Sequence, residues 1–96
     1  DNDPAYAGAD SRMLLRRVNE IVKENGFTVS NVDATVIAQA PKLRPYIDSM
    51  RETIASDLEI DPGQVSIKAT TEEGLGFTGS GEGIASDAVC LLCRIK

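Results

Sequence analysis

Two adjoining stretches concentrate the side chains that could hold a phosphorylated ligand. Thr70-Thr71-Glu72-Glu73 sets two hydroxyls beside two carboxylates, and the ten residues 74–83 that follow contain five glycines. Closely spaced glycines let backbone N–H groups approach phosphate oxygens. A threonine hydroxyl can hydrogen-bond charge that develops on a phosphoryl group, and a carboxylate can hold a magnesium ion bridged to a diphosphate. The same residues also suit a tight turn and the polar cover of a strand end. Neither nucleotide-loop signature is present. G-x-x-x-x-G-K-[ST] is missing, and no G-x-G-x-x-G follows a strand in a parallel unit.

Other reactive residue types point to less. Asp1, Asp3 and Asp10 gather carboxylates near the start of the chain, but the calcium-loop spacing D-x-[DN]-x-[DN]-G-x₅-E is not met, and a helix-capping loop accounts for them better. Cys90-Leu91-Leu92-Cys93 has the C-x-x-C spacing. Residues three apart on a strand face opposite ways, so the two thiols cannot readily converge on one metal or disulfide. Buried free cysteines acting as small hydrophobes are expected instead. With no histidine in the 96 residues, the stretch holds no mixed zinc site, no Ser-His-Asp triad and no Cys-His pair.

The elements that must position these residues follow from periodicity. At 96 residues, 42% hydrophobic and 26% charged, the chain reads as one small soluble domain that leans on a partner for stability. A net charge of −5, with basic residues scattered apart from Arg16-Arg17, argues against nucleic acid. No apolar run reaches the roughly 18 residues of a membrane span, and no signal peptide opens the chain, so a reducing, cytosol-like setting is expected. Asp1 in place of Met suggests a trimmed chain or a fragment.

Met13, Leu14, Leu15, Val18, Ile21 and Val22 recur near helical spacing, which predicts a helix over 11–25 with Ser11 as N-cap and Gly26 ending it. Its polar face, Arg16, Arg17, Asn19, Glu20, Lys23 and Glu24, reads as solvated surface. Over 27–38 the period changes to the alternation of a strand. Ala40-Pro41-Lys42-Leu43-Arg44-Pro45 is a shaped connection into a second helix. There Ile47, Met50, Ile54 and Leu58 face inward while Arg51, Glu52, Asp57 and Glu59 look outward. Asp61-Pro62-Gly63 is a turn before a strand at 64–69, and a third strand is expected over 88–95. The fold class is therefore α+β: a two-layer sandwich with helices packed on one face of a small mixed sheet, the other face turned toward a further copy of the chain.

Several stretches together are more specific than any single pattern. They are Asp3-Pro4-Ala5 with Gly8-Ala9-Asp10-Ser11, Asn31-Val32-Asp33-Ala34-Thr35 into Ala38-Gln39-Ala40-Pro41-Lys42, and Lys68-Ala69-Thr70-Thr71 followed by Leu75-Gly76-Phe77-Thr78-Gly79 and Gly81-Glu82-Gly83-Ile84-Ala85. In order and without obvious insertion, they resemble the 2-C-methyl-D-erythritol 2,4-cyclodiphosphate synthases of non-mevalonate isoprenoid biosynthesis. The resemblance implies a homotrimer with active sites at subunit boundaries. It implies cyclisation of 4-diphosphocytidyl-2-C-methyl-D-erythritol 2-phosphate, with CMP released.

Position by position, the resemblance implies that Ala38, Gln39, Ala40, Pro41, Lys42, Leu43 and Arg44 receive the cytosine and ribose. Thr70 and Thr71 stand beside the diphosphate, with Thr71 as transition-state stabiliser. Glu72 and Glu73 flank it, Glu73 holding Mg²⁺ or Mn²⁺, and Asp1, Asp3 and Phe77 contact substrate. The family's zinc ligands, an Asp-x-His motif and a further histidine, fall N-terminal to where this sequence begins. Ser80 stands where the family usually has arginine and Gly74 where lysine is common, which removes two cations. The 96 residues thus read as a single domain, the C-terminal part of such a subunit, inactive alone and of the bacterial cytoplasm or a plastid-type organelle. The alternative is a non-catalytic trimeric module that binds cytidine nucleotides.

Overall fold

The alternation of Val32, Ala34, Val36 and Ala38 produces the central strand, β1 (Phe27–Ala38), in a computed structural model that describes residues 7–39, 42–71 and 83–96. β1 pairs in parallel with β2 (Val65–Thr70) on one side and antiparallel with β3 (Ile84–Arg94) on the other, giving a mixed sheet of order β2-β1-β3. A parallel pair needs a crossover, and α2 (Ile47–Leu58) supplies it. α1 (Ala7–Glu24) precedes β1. Helices on one face of a small mixed sheet are the expected α+β arrangement.

The register decides which side chains meet the helices. Val32 lies opposite Val65 and Cys90, Ala34 opposite Ile67 and Ala88, and Val36 opposite Ala69, so these residues share one face. Ala55 of α2 packs there with Val65 and Ile67, and Ile47, Met50, Ile54 and Ile60 surround them. Val29 belongs to the same side although it is an odd number of residues from Val32. A register shift between Val29 and Asn31 makes this possible, because one extra residue in a strand returns the next side chain to the face it would otherwise leave. The opposite face carries Asp33, Thr35 and Lys68, with Lys68 Nζ 3.5 Å from Asp33 Oδ1, and exposes Val89 and Leu91.

Several expectations need correction. α1 begins at Ala7, so Ser11 lies inside the helix and is not its N-cap. The alanines at 7 and 9 carry no apolar periodicity, yet alanine has the highest helix propensity. The end of α1 is as expected: Gly26 has φ +86°, and its N–H donates to the Lys23 carbonyl at 3.0 Å. Half of the face read as solvated is an interhelical contact, through Arg16, Asn19 and Lys23, while Arg17, Glu20 and Glu24 stay exposed and pair with one another. Asn19 is 2% exposed and donates from Nδ2 to the Leu58 carbonyl and to Glu59 Oε1, both at 3.2 Å. Asp57 does not look outward: its carboxylate accepts from Arg12 Nε (3.0 Å), Arg12 Nη2 (2.9 Å) and Arg16 Nε (2.9 Å). Residues 12, 16, 19 and 23 form one helical row that meets the C-terminal end of α2, with Lys23 Nζ 2.7 Å from Glu59 Oε1. Met13, Leu14, Val18 and Ile21 are exposed although apolar.

β3 starts at Ile84 rather than Ala88, because residues 84–87 pair with Ala38 to Thr35 and pairing needs no apolar alternation. Cys90 and Cys93 are free and exposed, not buried, since β3 is an edge strand whose side chains are largely uncovered.

Candidate functional site

The parallel pairing of β1 with β2 brings two distant segments together. Ile37 lies opposite Thr70, so the residues after Ala38 and those after Thr70 leave the same end of the sheet side by side. Crevices beyond the carboxyl ends of parallel strands are common ligand positions. Here the crevice is a cavity of about 580 Å³ lined by Ala38, Gln39, Lys42, Leu43, Arg44, Thr70 and Thr71, together with Ile47, Ile67, Lys68 and Ala69.

Each segment is held from behind. The shaped connection ends in a 3₁₀ turn, Arg44–Tyr46, with Pro45 in its first positions and the Tyr46 N–H donating to the Leu43 carbonyl at 2.8 Å. Proline fixes φ there and lacks an N–H that would otherwise need a partner. Arg51 of α2 fastens the start of β2 by donating from Nε to the Val65 carbonyl (2.8 Å) and from Nη2 to the Pro62 carbonyl (2.9 Å). Gln64 does the same for β1: its Nε2 donates to the Ser30 carbonyl at 2.6 Å while its Oε1 accepts from the Asp61 N–H at 2.8 Å. Asp61 in turn caps the 3₁₀ turn Pro62–Gln64, accepting from the Gly63 N–H at 2.8 Å. At the site itself, among the described residues, Thr70 Oγ1 makes only a long contact, 3.5 Å, to the Thr71 carbonyl. That hydroxyl can turn to a ligand with little loss.

Of the site residues expected from sequence, Ala38, Gln39, Lys42, Leu43, Arg44, Thr70 and Thr71 converge on this one cavity. Asp1, Asp3, Ala40, Pro41, Glu72, Glu73 and Phe77 lie outside the described residues, as do the glycines from 74 to 81. Sequence reasoning missed Ile47, Ile67, Lys68 and Ala69. The signal was available, since residues immediately before a strand-end threonine pair must border whatever that pair borders. β2 is an edge strand, so residues from both of its faces reach the cavity. Among the described residues no three acidic, cysteine or histidine side chains cluster to hold a metal ion. The described lining combines apolar Leu43, Ile47 and Ile67 with the hydroxyls of Thr70 and Thr71 and the cations Lys42, Arg44 and Lys68, which suits a ligand with a flat organic part and a phosphorylated part.

The profile of the YgbB family matches residues 1–93. The chain belongs to the YgbB family. A protein of Clostridium perfringens named 2-C-methyl-D-erythritol 2,4-cyclodiphosphate synthase is 58% identical over 94 residues, which is 98% of this YgbB chain and 60% of that relative. The crystal structure of the 2C-methyl-D-erythritol 2,4-cyclodiphosphate synthase of Plasmodium vivax superposes with a TM-score of 0.87 at 35% identity, over 90% of this chain and 57% of that one. A Plasmodium falciparum IspF in complex with CDP gives a TM-score of 0.87 at 30% identity, covering 96% of this chain and 59% of that one. The YgbB chain thus spans about 60% of the length of the curated relatives it matches. Among its described residues no helix is long and apolar enough to cross a membrane.

Proposed function

We propose that this chain is the nucleotide-holding part of a longer cyclodiphosphate synthase subunit. The observation that carries the reading is the one cavity that Ala38, Gln39, Lys42, Leu43 and Arg44 share with Thr70 and Thr71, residues far apart in sequence that the parallel β1–β2 register sets side by side. The names of its relatives and the CDP bound to the Plasmodium falciparum protein support a cytidine nucleotide as the occupant.

In this reading the cytosine lies against the Ala38–Arg44 segment and the diphosphate reaches Thr70 and Thr71. The substrate's 2-phosphate oxygen attacks the β-phosphorus of the cytidine diphosphate portion. A new P–O bond forms there as the P–O bond to the α-phosphate breaks, and the electron pair leaves with CMP. The nucleophile is already an anion, so positioning and charge neutralisation carry the reaction and no strong protein base is required. Thr71 stabilises the charge that builds on the phosphoryl oxygens. A divalent ion, magnesium or manganese, held by Glu73 would neutralise the diphosphate, and zinc would be held by residues beyond these 96.

The remaining substrate contacts fall to Asp1, Asp3, Glu72 and Phe77. The sheet face that exposes Val89 and Leu91 is the surface we assign to a homotrimer core, in a phosphorus–oxygen lyase of the bacterial cytoplasm or a plastid-type organelle. The 96-residue chain alone is expected to bind CMP and to release little or none from substrate. Following CMP release by this chain beside a full-length relative tests the assignment. Turnover near the full-length rate refutes the division of labour, and failure to bind CMP refutes the nucleotide site.

A further inference from the structure

We propose that the apolar groove between α1 and the β3 side of the sheet is the seat of a further element of the same subunit, supplied by the part of the polypeptide that the relatives carry beyond the length matched here. The inference rests on the reading of this chain as part of a longer subunit, and it adds where the remainder docks.

α1 has an apolar stripe that the fold leaves open. Leu14, Leu15, Val18, Ile21 and Val22 recur at the spacing of one helix face, yet Leu14 is 66% exposed, Val18 45% and Ile21 42%. A sheet surface stands ready nearby. Ala88 lies opposite Ala34 and Cys90 opposite Val32, which turns this side of β3 toward the helical layer. α1 nevertheless packs against β1 and α2 rather than along β3. A groove of about 350 Å³ is left, lined by Leu15, Val18 and Val22 from α1 and by Ala88, Cys90 and Leu92 from β3. Asn19, the polar residue of the lining, spends its amide on Leu58 and Glu59. Contiguous exposed apolar surface of this kind marks a docking face.

Length selects the occupant. The 94 residues matched to the Clostridium perfringens relative are 98% of this chain but 60% of that one, so roughly 60 of its residues lie outside the match, room for a helix and strands of ordinary length. The Plasmodium vivax structure is likewise covered over only 57% of its chain. An element of the same polypeptide is tethered beside its seat, and its effective concentration there exceeds that of any second copy in dilute solution. The groove asks of it an apolar face and no charge, since burying an unpaired charge between α1 and β3 would be costly.

The two cysteines of β3 report on the groove. Both are free and exposed, but Cys90 lines the groove whereas Cys93, three residues along the strand, faces the other side of the sheet. Alkylation by iodoacetamide, followed at each cysteine by mass spectrometry, is compared in two proteins. One is the 96-residue chain; the other is that chain extended by the roughly 60 residues that the Clostridium perfringens relative carries outside the match, joined as they are in that relative. Cys90 should react roughly tenfold more slowly in the extended chain, because a thiol must be reached to react, and amide exchange along α1 should slow with it. Val18→Glu places a charge in the groove at a position 45% exposed, so circular dichroism should show the 96-residue chain still folded. In the extended chain the same substitution should return most of the lost Cys90 reactivity. Equal Cys90 rates in the two native chains overturn the proposal, as does a Val18→Glu extended chain in which Cys90 stays protected. Protection of Cys90 in the 96-residue chain that grows with its concentration also overturns it, because a second copy then fills the groove. An extended chain that protects Cys90 and binds no CMP supports the groove and refutes the nucleotide site instead.

Discussion

Replacing Asp57 should expose how much of this small fold depends on one carboxylate. The Asp57 side chain is 2% exposed and is paired with Arg12 and Arg16, which are themselves 46% and 49% exposed. Asp57→Ala removes the acceptor of three charge-assisted hydrogen bonds and leaves two cations without their counter-charge. Breaking a buried pair costs about 3–5 kcal/mol when the orphaned charge stays buried. Here both guanidinium groups can turn to water, so about 2 kcal/mol is expected. With a urea slope of about 1 kcal/mol per molar for a chain of this size, the unfolding midpoint should fall by about 2 M. Asp57→Asn keeps the shape and one acceptor oxygen and should lose about half as much.

The pH dependence follows from the same geometry. The hydrogen bonds from Arg12, aided by Arg16, hold the Asp57 carboxyl below its ordinary pKa, although burial pulls the other way. The unfolded chain therefore takes up this proton at a higher pH than the folded one. The stabilisation is fully present above the ordinary carboxylate pKa and is lost as the pH falls through the lower folded value. Urea midpoints measured at several pH values below 5 should decline more steeply for the native chain than for Asp57→Asn. A residual slope is expected in the variant, because the Lys23 hydrogen bond lowers the Glu59 pKa as well. A midpoint shift under 0.5 M for Asp57→Ala, set against the roughly 2 M worked out above, or identical acid slopes for the native chain and Asp57→Asn, would refute the reasoning.

Two further outcomes concern backbone and packing. Gly26→Ala should cost about 1 kcal/mol, read as a melting temperature lower by roughly 5 °C, because φ is +86° while no atom lies within 4 Å of the added Cβ; an unchanged melt would rule out a conformational cost. Ala55→Val adds two methyl groups where α2 meets Val65 and Ile67 at 1% exposure, and should cost about 1–3 kcal/mol by chemical denaturation, whereas a gain in stability would reveal unfilled space there.

The strands and the inward row of α2 were legible because each is a local pattern: β1 was read over the residues it occupies, and Ile47, Met50, Ile54 and Leu58 face the core or its rim. Asn19 and Asp57 were misread for a common reason. Their partners lie 39 to 45 residues away, and periodicity sees one helix at a time, so a polar residue on a helix looks solvated until the second helix arrives. The bulge near Ser30 was invisible for the same cause, since only the partner strand reveals which face Val29 must keep. At the site, residue types pointed to Thr70 and Thr71, and the family resemblance separately to the 38–44 segment. Their meeting depends on the parallel register, which no local pattern encodes, and Lys68 joins them only because β2 ends at an edge.

The position of β3 bears on which parts of the molecule can open. β3 joins the sheet on one side only, and its side chains are almost all uncovered, whereas β1 is paired on both sides and β2 is backed by α2. Every described residue of the cavity is carried by β1, the turn at Arg44–Tyr46, the first residue of α2, β2 and the short segments joining them. Amide hydrogens of β3 should therefore exchange with solvent through a cheaper, partial opening than those of β1 and β2. The cavity can ride through that opening intact, because the strand that frays contributes none of its walls.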